Sequence, residues 1–324
     1  MQSLRNFFIT FGISLVVFGI LAWFIWGKVV SNDVPDDNEP VIQVESNDVV
    51  NNIQPDESQT LLGDSFTAVL CCYEDTVGRA DSIVLVTVDK NKESFSVCPI
   101  PSYLKVDLGT ETVKKEVYLG DILVNNGKNF FLQKLEALTG LNVDYYAFIS
   151  NSDFVRMVNE IGGIEFDVPM NMYYRDDKGV ELVNLKAGTT RLTGEDALEL
   201  VRFRGYPSTP GITDDGDSAR RKMHCELLFK VFETFLKPDN KESIEGIVKT
   251  LLSLIYDGET NFTATAFMRH KDLILNYENF KHETVEYPVS TTSLITFDNG
   301  ESIAVHTPDV DRAVEKVFSE YNND

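Results

Sequence analysis

Residues 66–98 read FTAVLCCYEDTVGRADSIVLVTVDKNKESFSVC, and they decide the fold class. FTAVLCC (66–72), SIVLVTVD (82–89) and ESFSVC (93–98) are rich in β-branched and aromatic residues, the composition of strands. Lys90-Asn91-Lys92 joins the second and third as a hairpin-like connector. Helical spacing follows in NFFLQKLEALTG (129–140), closed by Gly140. DYYAFI (144–149) reads as a strand, and SDFVRMVNEIGG (152–163) as a helix capped near Ser152 or Asp153. IEFDVP (164–169) is the next strand. TGEDALELVRFR (193–204) opens with the capping-box pair Thr193 and Asp196. GDSARRKMHCELLFKVFETFLK (216–237) and IEGIVKTLLSLIYDG (244–258) are long amphipathic helices, and short strands with a last helix at 309–318 finish the chain. Strands alternate with helices, so the class is α/β or α+β around a mixed sheet.

Composition narrows the function. The chain has 324 residues, 43% apolar and 11% aromatic, which excludes wholesale disorder. A formal net charge of -22 argues against nucleic acid as a partner, because phosphate binding needs an excess of Lys and Arg. The four cysteines, Cys71, Cys72, Cys98 and Cys225, show no zinc spacing and are too few for a disulfide framework. Cys98 could bridge Cys71 or Cys72 if their strands were neighbours, or all four could be buried thiols.

FFITFGISLVVFGILAWFIW (7–26) carries no charge. A helix of that length spans the hydrocarbon core of a bilayer, about 30 Å. Trp23 and Trp26 sit near one end, where interfacial anchors lie. Residues 31–60 contain eight Asp/Glu and no Lys/Arg. The expected organisation is a cytoplasmic stub and transmembrane anchor (1–28), an acidic disordered tether (29–60) and an extracytoplasmic domain (61–324).

The chemistry-bearing residues form two groups. Arg202 and Arg204 alternate around Phe203 just after a helix, which in an extended segment turns both guanidiniums to one side. Arg220, Arg221 and Lys222 then open the next helix, although a helix N-terminus repels cations, so an anion is expected nearby. Arg220, His224, Leu227, Val231 and Phe235 share a face that is polar at its start and apolar below. That face would suit an anionic head with a greasy tail; it would equally suit a core stripe with Arg220 paired to Asp217. The second group is Asp81, at the mouth of an apolar strand, with Glu74 and Asp75 ending the strand before it. Carboxylates at adjacent strand ends can share Mg²⁺ or be ordinary loop residues.

In order, the chain carries Gly78-Arg79-Ala80-Asp81-Ser82, Ile100-Pro101, Asp144-Tyr145-Tyr146, Ile161-Gly162-Gly163-Ile164 with Asp167-Val168-Pro169, and Met172-Tyr173-Tyr174 with Asp176. Leu185…Gly188, Leu192-Thr193-Gly194-Glu195-Asp196-Ala197-Leu198, Val201-Arg202-Phe203-Arg204 and Gly216-Asp217…Arg220 follow. This ordered set, over residues 64–237, resembles the LytR-CpsA-Psr family of membrane-anchored envelope transferases. The resemblance implies an α/β/α sandwich with a polyprenyl-holding pocket, lined here by Leu227, Val231 and Phe235. It implies transfer of a glycopolymer, of teichoic acid or capsular type, from a polyprenyl pyrophosphate carrier to peptidoglycan at the outer face of the membrane. By position, Asp81 and Glu74 match the acids that hold Mg²⁺. Arg202, Arg204 and Arg220 match the pyrophosphate arginines, with Asp81 and Arg204 central to catalysis. His224 stands where a glutamine is usual and is expected to join the pyrophosphate-binding set by donating a hydrogen bond to phosphate. The family's Ile-Pro-Arg-Asp reads Ile100-Pro101-Ser102-Tyr103 here, and its second helix arginine reads Met223. Arg79 or Lys105 could supply the lost charge; otherwise the chain is a non-catalytic homologue that binds the lipid carrier.

Overall fold

The computed structural model describes residues 65–109, 115–175, 178–203, 217–236, 249, 252–257, 259–296 and 302–319. The expected anchor and tether, and Arg204, lie outside the described residues. Among the described residues no helix is long and apolar enough to cross a membrane.

The chain begins with β1 (Ser65–Tyr73), β2 (Ala80–Asp89) and β3 (Ser94–Ile100). The Asp89 carboxylate accepts from Asn91 N at 2.9 Å and Lys92 N at 3.1 Å, and Glu93 takes a left-handed φ of 47°, which closes the expected hairpin. A short ribbon, β4 (Lys105–Asp107) with β5 (Glu116–Tyr118), leads into α1 (Leu119–Asn126) and α2 (Lys128–Thr139). Gly140 ends α2 at φ 72°, the left-handed position that favours glycine. β6 (Tyr145–Ser150) runs straight into α3 (Asn151–Glu160). The cap is therefore Ser150, which accepts from Asp153 N at 3.0 Å, and not Ser152 or Asp153.

Four short strands follow: β7 (Ile164–Val168), β8 (Met172–Arg175), β9 (Glu181–Leu185) and β10 (Gly188–Leu192). Then come α4 (Gly194–Arg202), with the expected Thr193/Asp196 capping box, and α5 (Asp217–Leu236). The chain closes with α6 (Ala264–Leu275), β11 (Lys281–Thr284), β12 (Val289–Thr296) and β13 (Ser302–Pro308). Of the expected helix at 244–258, residue 249 and residues 252–256 are described, and they are helical. The last expected helix is only a turn, Val310–Arg312, continued by a π-turn.

The central sheet has the order β11-β3-β2-β1-β6. β3, β2 and β1 pair antiparallel, while β6 on β1 and β11 on β3 are parallel, so the sheet is mixed. Alternation sends successive side chains to opposite faces. Val69, Cys71, Ile83, Leu85, Cys98 and Ile100 meet α1 and α2 through Leu119, Ile122, Phe131 and Leu135. Val84, Val86, Val88, Phe95 and Val97 meet α5 and α6 through Cys225, Phe229, Phe232 and Leu273. Helices thus cover both faces. A third cluster joins α3, α4, α5 and β7–β10 beside the sheet.

The strand order answers the cysteine question. β2 lies between β1 and β3, so Cys71 and Cys98 are two strand spacings apart, roughly 10 Å, beyond disulfide reach. Cys72 points to the other face. All four thiols are free. Burial pushes Cys72 and Cys225 up to about 12, and Cys71 and Cys98 also rise, so these are inert packing thiols.

Candidate functional site

The site begins with an irregularity. Cys72 pairs with Ser82 and Tyr73 with Ala80, so Asp81 is an extra residue in β2, a β-bulge. The bulge lets Ala80 and Ile83, three residues apart, both enter the α1/α2 core. Ser82 is left off that face, toward α5. Ser82 Oγ lies 2.9 Å from His224 Nδ1 on α5, while His224 Nε2 lies 2.8 Å from the Val201 carbonyl of α4. A carbonyl only accepts, so Nε2 carries the proton and Nδ1 accepts from Ser82. His224 is thus a buried tie between β2, α4 and α5, with both ring nitrogens engaged.

Asp81 therefore belongs to the strand and not to a loop at its mouth. Its charge contributes to the raised pKa of Cys71 and Cys72, after burial. Glu74 sits at the start of the connecting loop, where its carbonyl accepts from Gly78 N at 2.7 Å. Asp75 instead accepts from Ser152 N at the start of α3, at 3.2 Å. Among the described residues no three His, Cys, Asp or Glu side chains converge on one metal position. Mg²⁺ takes as few as one or two protein carboxylates and completes its shell with phosphate oxygens and water, so the expected pair Asp81 and Glu74 needs no third acid.

The head of α5 is a buried ionic group. Asp217 and Arg220 are 4% and 2% exposed. Arg220 Nε donates to Asp217 Oδ1 at 3.1 Å, and Arg221 donates to Oδ2 of the same carboxylate. Arg221 Nη1 also lies 3.3 Å from His306 Nε2, and His306 Nδ1 lies 2.9 Å from Thr292 Oγ1. Burial alone would raise the Asp217 carboxyl; Arg220, His306 and Arg221 together outweigh it and hold it well below the usual carboxylate range. Among the described residues two guanidiniums meet one carboxylate at the end of α5 where the helix dipole is positive. The pairing of Arg220 with Asp217, one of the two sequence readings, is thus present.

Arg202 is helical and not part of an extended segment. Arg202 is exposed and is the last residue of α4, where its charge complements the helix C-terminus; Phe203 is extended and buried, and Arg204 lies outside the described residues.

Ser102 is buried, its Oγ donates to the Ala80 carbonyl, and a Cβ on Gly120 would run into that Oγ. This corner has no room for a longer inward side chain. The next residue, Tyr103, takes the Arg79 guanidinium over its ring, 3.7 Å from the centroid, and accepts from Arg79 Nη1. Asp121 Oδ1 lies 2.8 Å from Arg79 Nε as an ion pair, although that N–H is not aligned for a hydrogen bond, and buried Arg79 Nη2 has no hydrogen-bond partner among the described residues. Arg79 thus stands with an unspent donor beside the position of the lost arginine. Lys105 pairs with Glu116 at 3.3 Å. Met223 is buried in the third cluster.

Leu227, Val231 and Phe235 pack into the third cluster with Ile164, Phe166 and Leu200. Leu228, Phe229 and Phe232 face the central sheet, so α5 is apolar on two sides. Sequence reasoning missed His306 and Tyr103. Backbone bonds explain the omission, because His306 N donates to the Tyr103 carbonyl at 3.1 Å across some two hundred residues of chain. The only available signal was a histidine inside a short apolar run.

A mixed sheet covered by helices on both faces defines a three-layer α/β domain. The chain matches the LytR_cpsA_psr family over residues 36–318 and belongs to it. It is 23% identical over 209 residues to TagV of Bacillus subtilis, a polyisoprenyl-teichoic acid–peptidoglycan teichoic acid transferase; the match covers 64% of this chain and 51% of TagV. It is 25% identical over 204 residues to TagU of Bacillus cereus, a transferase of the same description, covering 62% of this chain and 60% of TagU. The chain thus spans between half and three-fifths of the length of these relatives. The crystal structure of B. subtilis TagV has the same fold, with a TM-score of 0.60 at 20% identity over 80% of this chain and 99% of that one. A structure of TagT bound to LI-WTA gives 0.56 at 19% identity, over 80% and 89%.

Proposed function

We propose that the chain transfers a glycopolymer of teichoic acid or capsular type from a polyprenyl pyrophosphate carrier to peptidoglycan, outside the membrane, held there by residues 7–26. Family membership and the transferase relatives support this reading. The observation that carries it is the Ser82–His224 bond, which ties the start of the strand that carries Asp81 to the helix that carries Arg220.

The acceptor sugar hydroxyl attacks the sugar-linked phosphorus of the carrier. The bond to the bridging oxygen breaks, polyprenyl phosphate leaves, and the hydroxyl proton passes to solvent. Little covalent chemistry falls to the protein; it orients the phosphates and stabilises their charge. Arg202, Arg204 and Arg220 draw the pyrophosphate to the helix head. Arg79, clamped by Tyr103 and Asp121, offers the donor that Ser102 cannot. Asp81 and Glu74 would hold Mg²⁺, which neutralises phosphate charge when bound. His224 orients the assembly through Ser82 and Val201. The lipid tail would run along Leu227, Val231 and Phe235.

The test is polymer attachment in cells that depend on this chain. Asp81→Ala and Arg204→Ala should each lower attachment by a factor on the order of 10²–10³. Unchanged attachment in both variants would sink the proposal. The enclosed, bonded position of Ser102 favours a second reading, a homologue that binds the lipid carrier without turnover. Copurified polyprenyl phosphate, with no attachment by the unmodified chain, would select it.

A further inference from the structure

The β8–β9 hairpin carries a face that packing does not use. Tyr173 is 55% exposed and belongs to none of the core clusters. Its ring is backed by the Arg175 guanidinium, 5.3 Å from the centroid. Glu181 gathers the neighbours: Asn184 Nδ2 donates to its Oε1 at 2.8 Å and Arg175 Nη2 to its Oε2 at 3.2 Å, and the Tyr173 hydroxyl bonds to it as well. The Asn184 bond first, then Arg175, holds the Glu181 carboxyl below its usual value. A ring, an amide, a carboxylate and a guanidinium are thereby fixed on one solvent-facing surface before any ligand arrives, which lowers the entropy lost on binding.

Asn184 also lines a polar cavity of about 240 Å³ with Lys186, Thr189, Thr190 and Asp196. That is smaller than a drug-sized pocket and suits a single ring bearing hydroxyl or amide groups. On the other side, Asn184 N donates to Glu199 Oε2 at 3.0 Å. Glu199 precedes Arg202 by three residues on α4, a rise of about 4.5 Å. The face therefore ends roughly one helical turn from an arginine assigned to the phosphate.

We propose that this face binds a chain of N-acetylated hexoses, stacked on Tyr173 and hydrogen-bonded by Asn184 and the cavity rim. The transferase reading enters only in making that glycan the acceptor. The exposed Val180 and Leu182 of the same hairpin would suit a lipid surface. The bonded Arg175–Glu181 pair and the polar cavity beside them favour a sugar.

The experiment titrates the full-length chain in detergent with tetra-N-acetylchitotetraose, followed by calorimetry. Saturable binding is expected. It should weaken about tenfold in Tyr173→Ala, persist in Tyr173→Trp, and be unchanged in Asp81→Ala even where attachment is lost. No saturable binding, or equal binding by Tyr173→Ala, would overturn the proposal. So would a Tyr173→Trp fluorescence that shifts to the blue in phosphatidylglycerol vesicles and ignores the sugar, since the hairpin would then meet the membrane. Unaltered attachment in Asp81→Ala and Arg204→Ala would remove the acceptor role and leave the sugar titration standing.

Discussion

In its first two turns α5 buries Asp217, Arg220 and His224; further along it buries Leu227 and half-buries Val231 and Phe235. One helix thus contains two kinds of interior. The apolar half is held by area removed from water, a term that tolerates small errors of position. The polar half gains little from burial, because desolvating an ion pair offsets most of its attraction. It holds only while each partner is present, and those partners come from β2, α4 and β13. The comparison teaches that the basic head of α5 is a junction of distant segments, whereas its tail is held by apolar packing alone.

The largest effect should follow from breaking the junction. Asp217→Asn leaves Arg220 buried without its charge partner, so the loss should be on the order of 3–5 kcal/mol in chemical denaturation. The sign of the pH dependence is fixed by the lowered Asp217 carboxyl. Its stabilisation is fully present above the unfolded value, about 4, and fades as pH falls below it toward the folded value. The gap between the unmodified chain and Asp217→Asn should therefore be constant from pH 7 to about 5 and shrink towards pH 3. A gap that widened on acidification would contradict the charge network.

Leu227→Ala tests the apolar half and should cost about 2–4 kcal/mol, with no comparable pH dependence. Ser82→Ala should cost about 1–2 kcal/mol, because His224 Nδ1 loses its donor inside the core. Substituting Ser82 and His224 singly and together should show coupling in a double-mutant cycle; simple additivity would mean that the tie is incidental. The smallest effect should be that of Phe235→Ala, about 1 kcal/mol, since the ring is only partly buried. A larger loss there than at Asp217 would invert the comparison.

Much of the fold was legible in the sequence because its signals are local. The Thr193/Asp196 box, Gly140 and the runs at 66–72 and 82–89 each announce their structure within a few residues. α1 was missed because eight residues give too little periodicity to read. β11, Lys281–Thr284, was not assigned because an edge strand needs no apolar face. The basic residues of the candidate site stood out against an acidic chain, and Asp81 stood out beside its strand. Their partners did not. Arg221 meets His306 across 85 residues, and neither position reports the other.

The order of chemical types along the chain determined the strands and helices, the family and the residues that could meet an anion. These properties depend on neighbours a few positions apart. Tertiary structure decided which of those residues share a face. A single extra residue in β2 put Ala80 and Ile83 on one face and Ser82 against α5, and β2 lying between β1 and β3 kept Cys71 from Cys98. The strand carrying His306 joined the Tyr103 loop to the head of α5. Register and strand order are set by packing over the whole sheet, and one inserted residue reverses a side chain's face, so no local window of sequence contains them.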